Sequence, residues 1–596
     1  MKAQVIPTFL PNQGINLDKP EEMLKEVISP YSRNMEFYNE RLQGRLGIEK
    51  FDTAALSGAV LLIDQFWQFD ETWDLMVATK KDIYKYNFSN SNYDILTPTY
   101  TAGTITLTAT GTSTAVQGDS ACAWATNLGA GDYIKLGTGN VNTDAAWYEI
   151  ESITNESACV IADYIAAAAT GASQSYVART IFQGADTNYW RAVNFQDSNL
   201  SETWIATNGV DTPVRYSGTG QVTPLATVPT GFTTARYIDV YKDRIIFAWS
   251  VEGGANQPQR VRWSQVANCE SWDDLHFQDF LDETSWITGL ATLSDYLVVF
   301  KEDNAYVGRY INPTDIYDFE KSTSCVGCKA QNSVVESQNS LFYYGSDNSF
   351  HRWNIVSDIN ITPDFTADVK NFDPNLEEYV YGKYISERKQ IRWFVPVTDV
   401  VFNNQCYVYS LDNGSNQIWE YVNTAACSCI GSYLNTTDLY VDDTIWGEYY
   451  VDEREGFWDD RTFLDNAPIV LYGGSDGYVR RADQGTKDDD VAYSRKFRTV
   501  RMNYGSPNTN KRIWKQQWWF DAENTGVMTL KIKKDDKNDW ETDTKTISLI
   551  DTTKDKIKTT VTWDKEAQNF QYQLETSSHC AFYGFLNFIF PKKRSI

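Results

Sequence analysis

Leu297-Val298-Val299-Phe300 is an apolar run that breaks at the polar Glu302-Asp303 and resumes as Asn304-Ala305-Tyr306-Val307. It is one copy of a degenerate unit: an apolar strand, a polar turn containing Gly, Asn or Asp, and a second strand closing on an aromatic or Arg. The unit is also present at Leu75-Met76-Val77-Ala78 with Ile83-Tyr84, and at Trp204-Ile205-Ala206 with Val214-Arg215-Tyr216. Ile245-Ile246-Phe247-Ala248-Trp249 with Val261-Arg262-Trp263 and Leu341-Phe342-Tyr343-Tyr344 with Phe350 repeat it. Cys406-Tyr407-Val408-Tyr409 with Trp419, and Val470-Leu471-Tyr472 with Tyr478-Val479, complete the series. From Trp204 onward the starting points lie 41, 52, 44, 65 and 64 residues apart, close to or somewhat above the roughly 40 to 50 that a four-stranded propeller blade requires. A four-stranded sheet cannot bury both faces alone, whereas a closed ring of blades stacks them and leaves only short edges. The sequence therefore predicts an all-β chain built around a β-propeller of about six or seven blades, with sandwiches in series as the alternative.

The composition agrees. The 596 residues suffice for about three to five domains, and 42% apolar with 14% aromatic content excludes disulfide scaffolds, collagen-like chains and wholly disordered ones. Helical periodicity is nearly absent after residue 30; the best helical segment is Lys19 to Val27, with Pro20 in a first turn and Glu21, Glu22 and Glu26 following. No window holds 18 consecutive apolar residues, so no bilayer-spanning helix is predicted. The opening Met1-Lys2-Ala3-Gln4-Val5-Ile6-Pro7 lacks a secretory h-region, which predicts folding in a reducing cytoplasm.

Four regions follow. Residues 1–96 hold an N-terminal arm and the first blade or blades. Residues 97–180, rich in Thr, Ala and Gly, read as an inserted small β domain with strands at Thr104-Thr108, Asp132-Leu136 and Trp147-Ile153, and with Gly129, Gly131, Gly137 and Gly139 at turns. Residues 181–487 continue the propeller. Residues 488–596 form a C-terminal β-sandwich-like domain with a short basic end, Lys592-Lys593-Arg594.

Chemistry-bearing motifs are sparse. Lys plus Arg total 53 against 79 for Asp plus Glu, a net charge of −26, which disfavours tight binding to nucleic acid phosphates. Three histidines, His276, His351 and His579, leave little for His-based metal or nucleophile chemistry. Cys325-Val326-Gly327-Cys328 has the spacing of half a zinc ribbon, but Cys427-Ser428-Cys429 is one residue short of a matching pair. The nine cysteines read as small buried hydrophobes, and no metal or other cofactor is expected. Glycosidase chemistry needs two carboxyl groups flanking one sugar bond; Asp273, Asp274, Glu302, Asp303 and the adjacent Asp459-Asp460 are candidates among many acids. No Walker-type loop is present. Ser410-Leu411-Asp412-Asn413-Gly414 approximates the Asp-box turn of sialidase-like propellers, a structural feature. One charge feature stands out: Asp438, Asp442, Asp443, Glu448, Asp452, Glu453, Glu455, Asp459, Asp460 and Asp465 are interleaved with Tyr440, Trp446, Tyr449, Tyr450, Phe457, Trp458 and Phe463. It reads as an acidic loop anchored by rings.

Several segments in order carry a family resemblance: Gly14-Ile15-Asn16-Leu17 with Arg33-Asn34-Met35; Asp243-Arg244-Ile245-Ile246-Phe247-Ala248 with Val261-Arg262-Trp263-Ser264 and Trp272; and Gly289-Leu290 through Phe300. Tyr384-Ile385 with Arg392-Trp393-Phe394-Val395-Pro396, Trp458-Asp459-Asp460, Gly474-Ser475-Asp476-Gly477 and Lys511-Arg512-Ile513 follow. Through these the chain is similar to the tail-nozzle or packaged-DNA stabilisation proteins of short-tailed bacteriophages, with residues 97–180 outside the shared core. The resemblance implies a non-enzymatic virion subunit, made in the host cytoplasm. It would assemble as a homo-oligomer, six copies in the family expectation, below the portal and adaptor, and contact fibres or a tail tip. Double-stranded DNA would be retained by the ring and then pass through it without tight binding, and the ten acids from Asp438 to Asp465 would line the channel, where negative walls repel a polyanion. The alternative expectation is a carbohydrate-active or carbohydrate-binding propeller, a tail-associated glycosidase or a lectin, in which some of the aromatic excess stacks on sugars.

Overall fold

The computed structural model describes residues 4–591 except 9–11, 39, 71, 111–112, 137–146, 163–174, 283, 364, 366–368, 370–371, 398–401, 412–416, 423–425, 435–467, 506–507, 524–525, 536–538 and 552–555. Among the described residues, seven four-stranded antiparallel sheets form the blades of a β-propeller. Blade 1 runs from Val60–Trp67 to Asn92–Ile95, blade 2 from Arg191–Gln196 to Thr223–Pro224, and blade 3 from Phe232–Tyr241 to Asn268–Asp279. Blade 4 spans Ile287–Leu293 to Tyr317–Lys321, blade 5 Val335–Ser337 to Asp358–Asn360, and blade 6 Tyr381–Ile385 to Gln417–Val422. Blade 7 combines Cys427–Tyr433, Ile469–Gly474 and Val479–Ala482 with Ile48–Lys50, a strand from the far end of the chain that closes the ring. The first strands of blades pack against their neighbours around the axis. Sandwiches in series are thereby excluded.

The second strand of a blade is covered on both faces by the adjoining blades, so its sequence is apolar without alternation. Leu75-Met76-Val77-Ala78, Ile245-Ile246-Phe247-Ala248, Leu297-Val298-Val299-Phe300 and Leu341-Phe342-Tyr343-Tyr344 are buried throughout. Each such side chain contributes about 1.5–3 kcal/mol by leaving water. Blade 6 differs. Its second strand is Gln390–Val395, while the run beginning at Cys406 is its third strand, Gln405–Ser410. That third strand is almost as buried because the terminal domain packs against the blade, where the Asn34 amide donates to the Glu420 carbonyl at 2.9 Å. The apparent spacing of 65 residues is thus a shift of one strand; counted from Leu341 to Ile391 it is 50.

The strands Thr99–Tyr100 to Tyr176–Arg179 form a separate seven-stranded sheet inserted after blade 1, with Trp124 buried and donating its indole N–H to the Tyr176 hydroxyl at 2.8 Å. Arg179 of this domain reaches the buried Asp82 of blade 1 at 3.4 Å. The terminal domain is a sandwich of a six- and a five-stranded sheet drawn from both ends of the chain: Gln4–Thr8 and Arg41–Gly44 pair with Ala581–Pro591, and Tyr31–Arg33 pairs with Arg495–Arg498. Trp518 stacks on Phe585 in its core, with centroids 4.1 Å apart. The segment Lys19 to Val27 is not helical but two turns, closed by Met23 N–H to the Pro20 carbonyl and Ile28 N–H to that of Lys25. It lacks the apolar stripe a surface helix needs: Met23 is 78% exposed, and Glu21 and Glu22 are held by Arg501 of the terminal domain. No helix among the described residues is long and apolar enough to cross a membrane.

Candidate functional site

Side chains from several inner strands meet at the axis. Tyr189, leading into blade 2, stacks on Tyr379 with centroids 5.6 Å apart and approaches Tyr381 of blade 6 at 6.2 Å. Arg191 donates to the Arg236 carbonyl of blade 3 at 3.2 Å and lies 4.9 Å from the Tyr237 ring centre. Burial above all, with the neighbouring Arg236, pulls the Arg191 guanidinium below its usual range. Beside this aromatic crossing, on the face that carries the blade-to-blade connections, a cavity of about 500 Å³ opens between blades 3 and 6.

Its rings come from a backbone irregularity. In blade 3, Arg244–Glu252 pairs with Ala255–Gln265 through a register shift between Ala248 and Ser250, where Trp249 stands opposite a bulge of three residues, Pro258 to Arg260. Trp249 sits at φ +55°, a left-handed conformation that a bulky residue adopts at a cost of about 1–3 kcal/mol. Bulges re-aim side chains, and here the indole lines the cavity, donating to Asn256 at 2.7 Å. It meets Trp286 edge to face at 5.4 Å, and the Arg236 guanidinium lies 4.7 Å from its ring. Trp286, just before the first strand of blade 4, is 49% exposed. Its backbone is fixed by two hydrogen bonds with Glu302: the Trp286 N–H donates to the carboxylate and the Glu302 N–H to the Trp286 carbonyl, both at 3.1 Å.

Four carboxylates line the cavity. Glu302 and Asp303 come from the turn after the second strand of blade 4, and Glu377 and Glu378 from the short 3-10 turn leading into blade 6. Arg236 donates to Glu378 at 2.6 Å, and Lys329 pairs with Glu377. Burial opposes the Arg236 charge, but Tyr237 and Glu378 outweigh it and hold the guanidinium above its usual range. Thr288 lines the wall; it is 8% exposed, and its hydroxyl has no partner. A concave site with rings, acceptors and donors in this order suits a polyhydroxylated ligand: sugar C–H faces lie over the electron-rich ring faces, and the hydroxyls pair with the charged groups. A larger cavity, about 630 Å³, lies on the opposite face between blades 2 and 3. It is lined by Ser, Thr, Asn and an Arg215–Glu270 pair, with no aromatic ring to orient a ligand.

The sequence candidates are scattered. Glu302 and Asp303 line the cavity. Asp273 and Asp274 instead tie down turns, accepting from Leu275 N–H at 2.9 Å and Thr230 N–H at 3.1 Å. The ten acids from Asp438 to Asp465, with their aromatic neighbours, lie outside the described residues, as do Asp412 to Gly414, Gly137, Gly139 and the basic end Lys592-Lys593-Arg594. Cys325 and Cys328 pack in the core between blades 4 and 5, whereas Cys427 and Cys429 belong to two other core clusters, so the pairs do not meet. Burial pushes the Cys328 thiol up to about 12. Trp249, Trp286, Arg236, Thr288, Glu377 and Glu378 were not legible as a site, because only the closed ring brings them together. Trp286 alone carried a signal, an aromatic in the polar connection Asp282-Glu283-Thr284-Ser285 between apolar strands.

No protein-family model matches the sequence, and no curated protein does. Solved structures similar to it include an exo-β-1,3-galactanase from Phanerochaete chrysosporium with galactose, at 9% identity and TM-score 0.22, covering 81% of this chain and 95% of that one. A glycoside hydrolase family 43 arabinoxylan arabinofuranohydrolase from Bacillus subtilis is similar at 9% identity and TM-score 0.22, covering 82% and 96%. The extracellular domain of a putative one-component system from B. thetaiotaomicron is similar at 10% identity and TM-score 0.30, covering 89% and 69%. No residue role is carried across at these values; the propeller assignment rests on the sheet topology. The reading of the chain as a non-enzymatic tail-nozzle subunit is corrected on this finding: two of these three structures are glycoside hydrolases, the third is an extracellular domain, and none of them is a tail protein. The motifs behind that reading have structural uses. Arg262 pairs with Glu252 at 2.8 Å, Arg392 with Asp483 at 2.9 Å, and a Cβ on Gly477, at φ +83°, would meet the Leu56 carbonyl at 2.5 Å.

Proposed function

We propose that the protein is a carbohydrate-recognising propeller whose binding site is the cavity between blades 3 and 6. One observation carries this reading: Trp249, opposite the bulge in blade 3, meets the half-exposed Trp286 edge to face inside a concave site that also presents carboxylates and a guanidinium. Two tryptophans brought together in one concave, polar-lined site give a ligand an apolar surface to cover. A hydrolytic role for the same site draws on the four carboxylates that line it, the residue type that glycoside hydrolysis uses in pairs. The test is binding of oligosaccharides by calorimetry, with a parallel assay of reducing-sugar release. Binding that Trp286→Ala weakens supports the reading, with sugar release extending it to catalysis. Absence of binding across neutral, amino and acidic oligosaccharides overturns it.

A further inference from the structure

The charges around the cavity are not balanced. Both basic side chains that line it are engaged by acids of the same wall, Arg236 by Glu378 and Lys329 by Glu377. The exposed Glu302 and Asp303, which also line the cavity, lie in no ion pair among the described residues; the buried Lys301 senses their charge, and Glu302 accepts the Trp286 backbone N–H. Four carboxylates against two basic side chains therefore line the cavity, and a ligand meets Glu302 and Asp303, neither held in an ion pair, beside two tryptophans.

We infer that the ligand is a sugar bearing a free, protonated amine, its ring stacked on Trp286 and its ammonium set against Glu302 and Asp303. The inference rests on the carbohydrate reading above. An ammonium over an indole face gains a cation–π attraction as well as the carboxylate pairing, whereas uronates and sulfated sugars meet like charge, which is unfavourable.

The experiment compares three probes on the full-length protein by calorimetry: a glucosamine tetramer, its fully N-acetylated counterpart, and a glucuronate-containing tetramer. The amine form is expected to bind about tenfold tighter than the acetylated form at low salt, with that advantage shrinking at about 0.5 M salt as the charges are screened. The double variant Glu302→Gln with Asp303→Asn is expected to bring the two affinities together. Equal or tighter binding of the acetylated or glucuronate probe overturns the amine assignment and leaves the carbohydrate reading standing. Failure of all three to bind overturns both.

Discussion

Two arginine–carboxylate pairs in this molecule share the same 2.6 Å separation and little else. Arg236–Glu378 stands at the cavity with side chains 32% and 43% exposed. Arg45–Asp488 lies at the seam between propeller and terminal sandwich at 3% and 0%. The seam pair is bidentate and further held by Asn34, and around it Arg388–Glu36 and Arg392–Asp483 extend the buried network. Burial works against the Arg45 charge, and the Asp488 hydrogen bond and charge more than restore it. The contrast separates two uses of one chemistry. In water such a pair adds little stability and is free to exchange partners with a ligand; in the dry seam each charge depends on the other.

The sharpest way to break the comparison is Asp488→Ala, which strands Arg45 in the interior and is expected to cost about 3–5 kcal/mol. A denaturant titration checks it, and a loss below about 1 kcal/mol would erase the distinction. Next in size, Trp286→Ala is expected to weaken saccharide binding by about 2 kcal/mol, roughly thirtyfold, with the melting temperature unchanged. Loss of folding instead would show the ring to be core.

A third pair, within blade 5, sharpens the contrast through pH. His351 lies between Asp358 at 2.8 Å and Asp347 at 3.0 Å. Burial opposes its charge, but the two carboxylates outweigh it and raise its pKa above 6.5. Because the folded value exceeds the unfolded one, this stabilisation is complete below about pH 6.5 and is lost as pH rises through the folded value. Asp347, against the cost of its own burial, is held below the usual carboxylate range by Ser349 and His351. Its contribution is therefore present above that range and lost as pH falls through the depressed value. Melting curves from pH 5 to 9 are expected to decline on the alkaline side, and less steeply in His351→Gln. The smallest effect belongs to the cavity pair: Glu378→Gln is expected to change stability by less than about 1 kcal/mol, read from the same curves.

The propeller was legible because second strands, covered on both faces, are written as unbroken apolar runs such as Ile245-Ile246-Phe247-Ala248. The slip at Cys406 has the same origin, since a third strand buried under a neighbouring domain reads like a second one. What the sequence hid was pairing at long range. Nothing in Ile48-Glu49-Lys50 marks it as the closing strand of blade 7, more than 420 residues from its partner Val479–Ala482. The site was hidden for a related reason: Trp249 reads as the last residue of an apolar strand, and only the register shift with Ala255–Gln265 turns its ring outward.

Hydrogen bonds between Gln4–Thr8 and Ala581–Pro591 tie together two strands nearly 580 residues apart. At about 5–20 residues per second, a ribosome needs roughly half a minute to two minutes to travel from one to the other. During that interval the strand Ile48–Lys50 waits for blade 7 and the Arg45 guanidinium for Asp488. The emerging polypeptide thus carries an open ring until Val479–Ala482 has left the exit tunnel, and an unfinished sandwich until Ala581–Pro591 has followed.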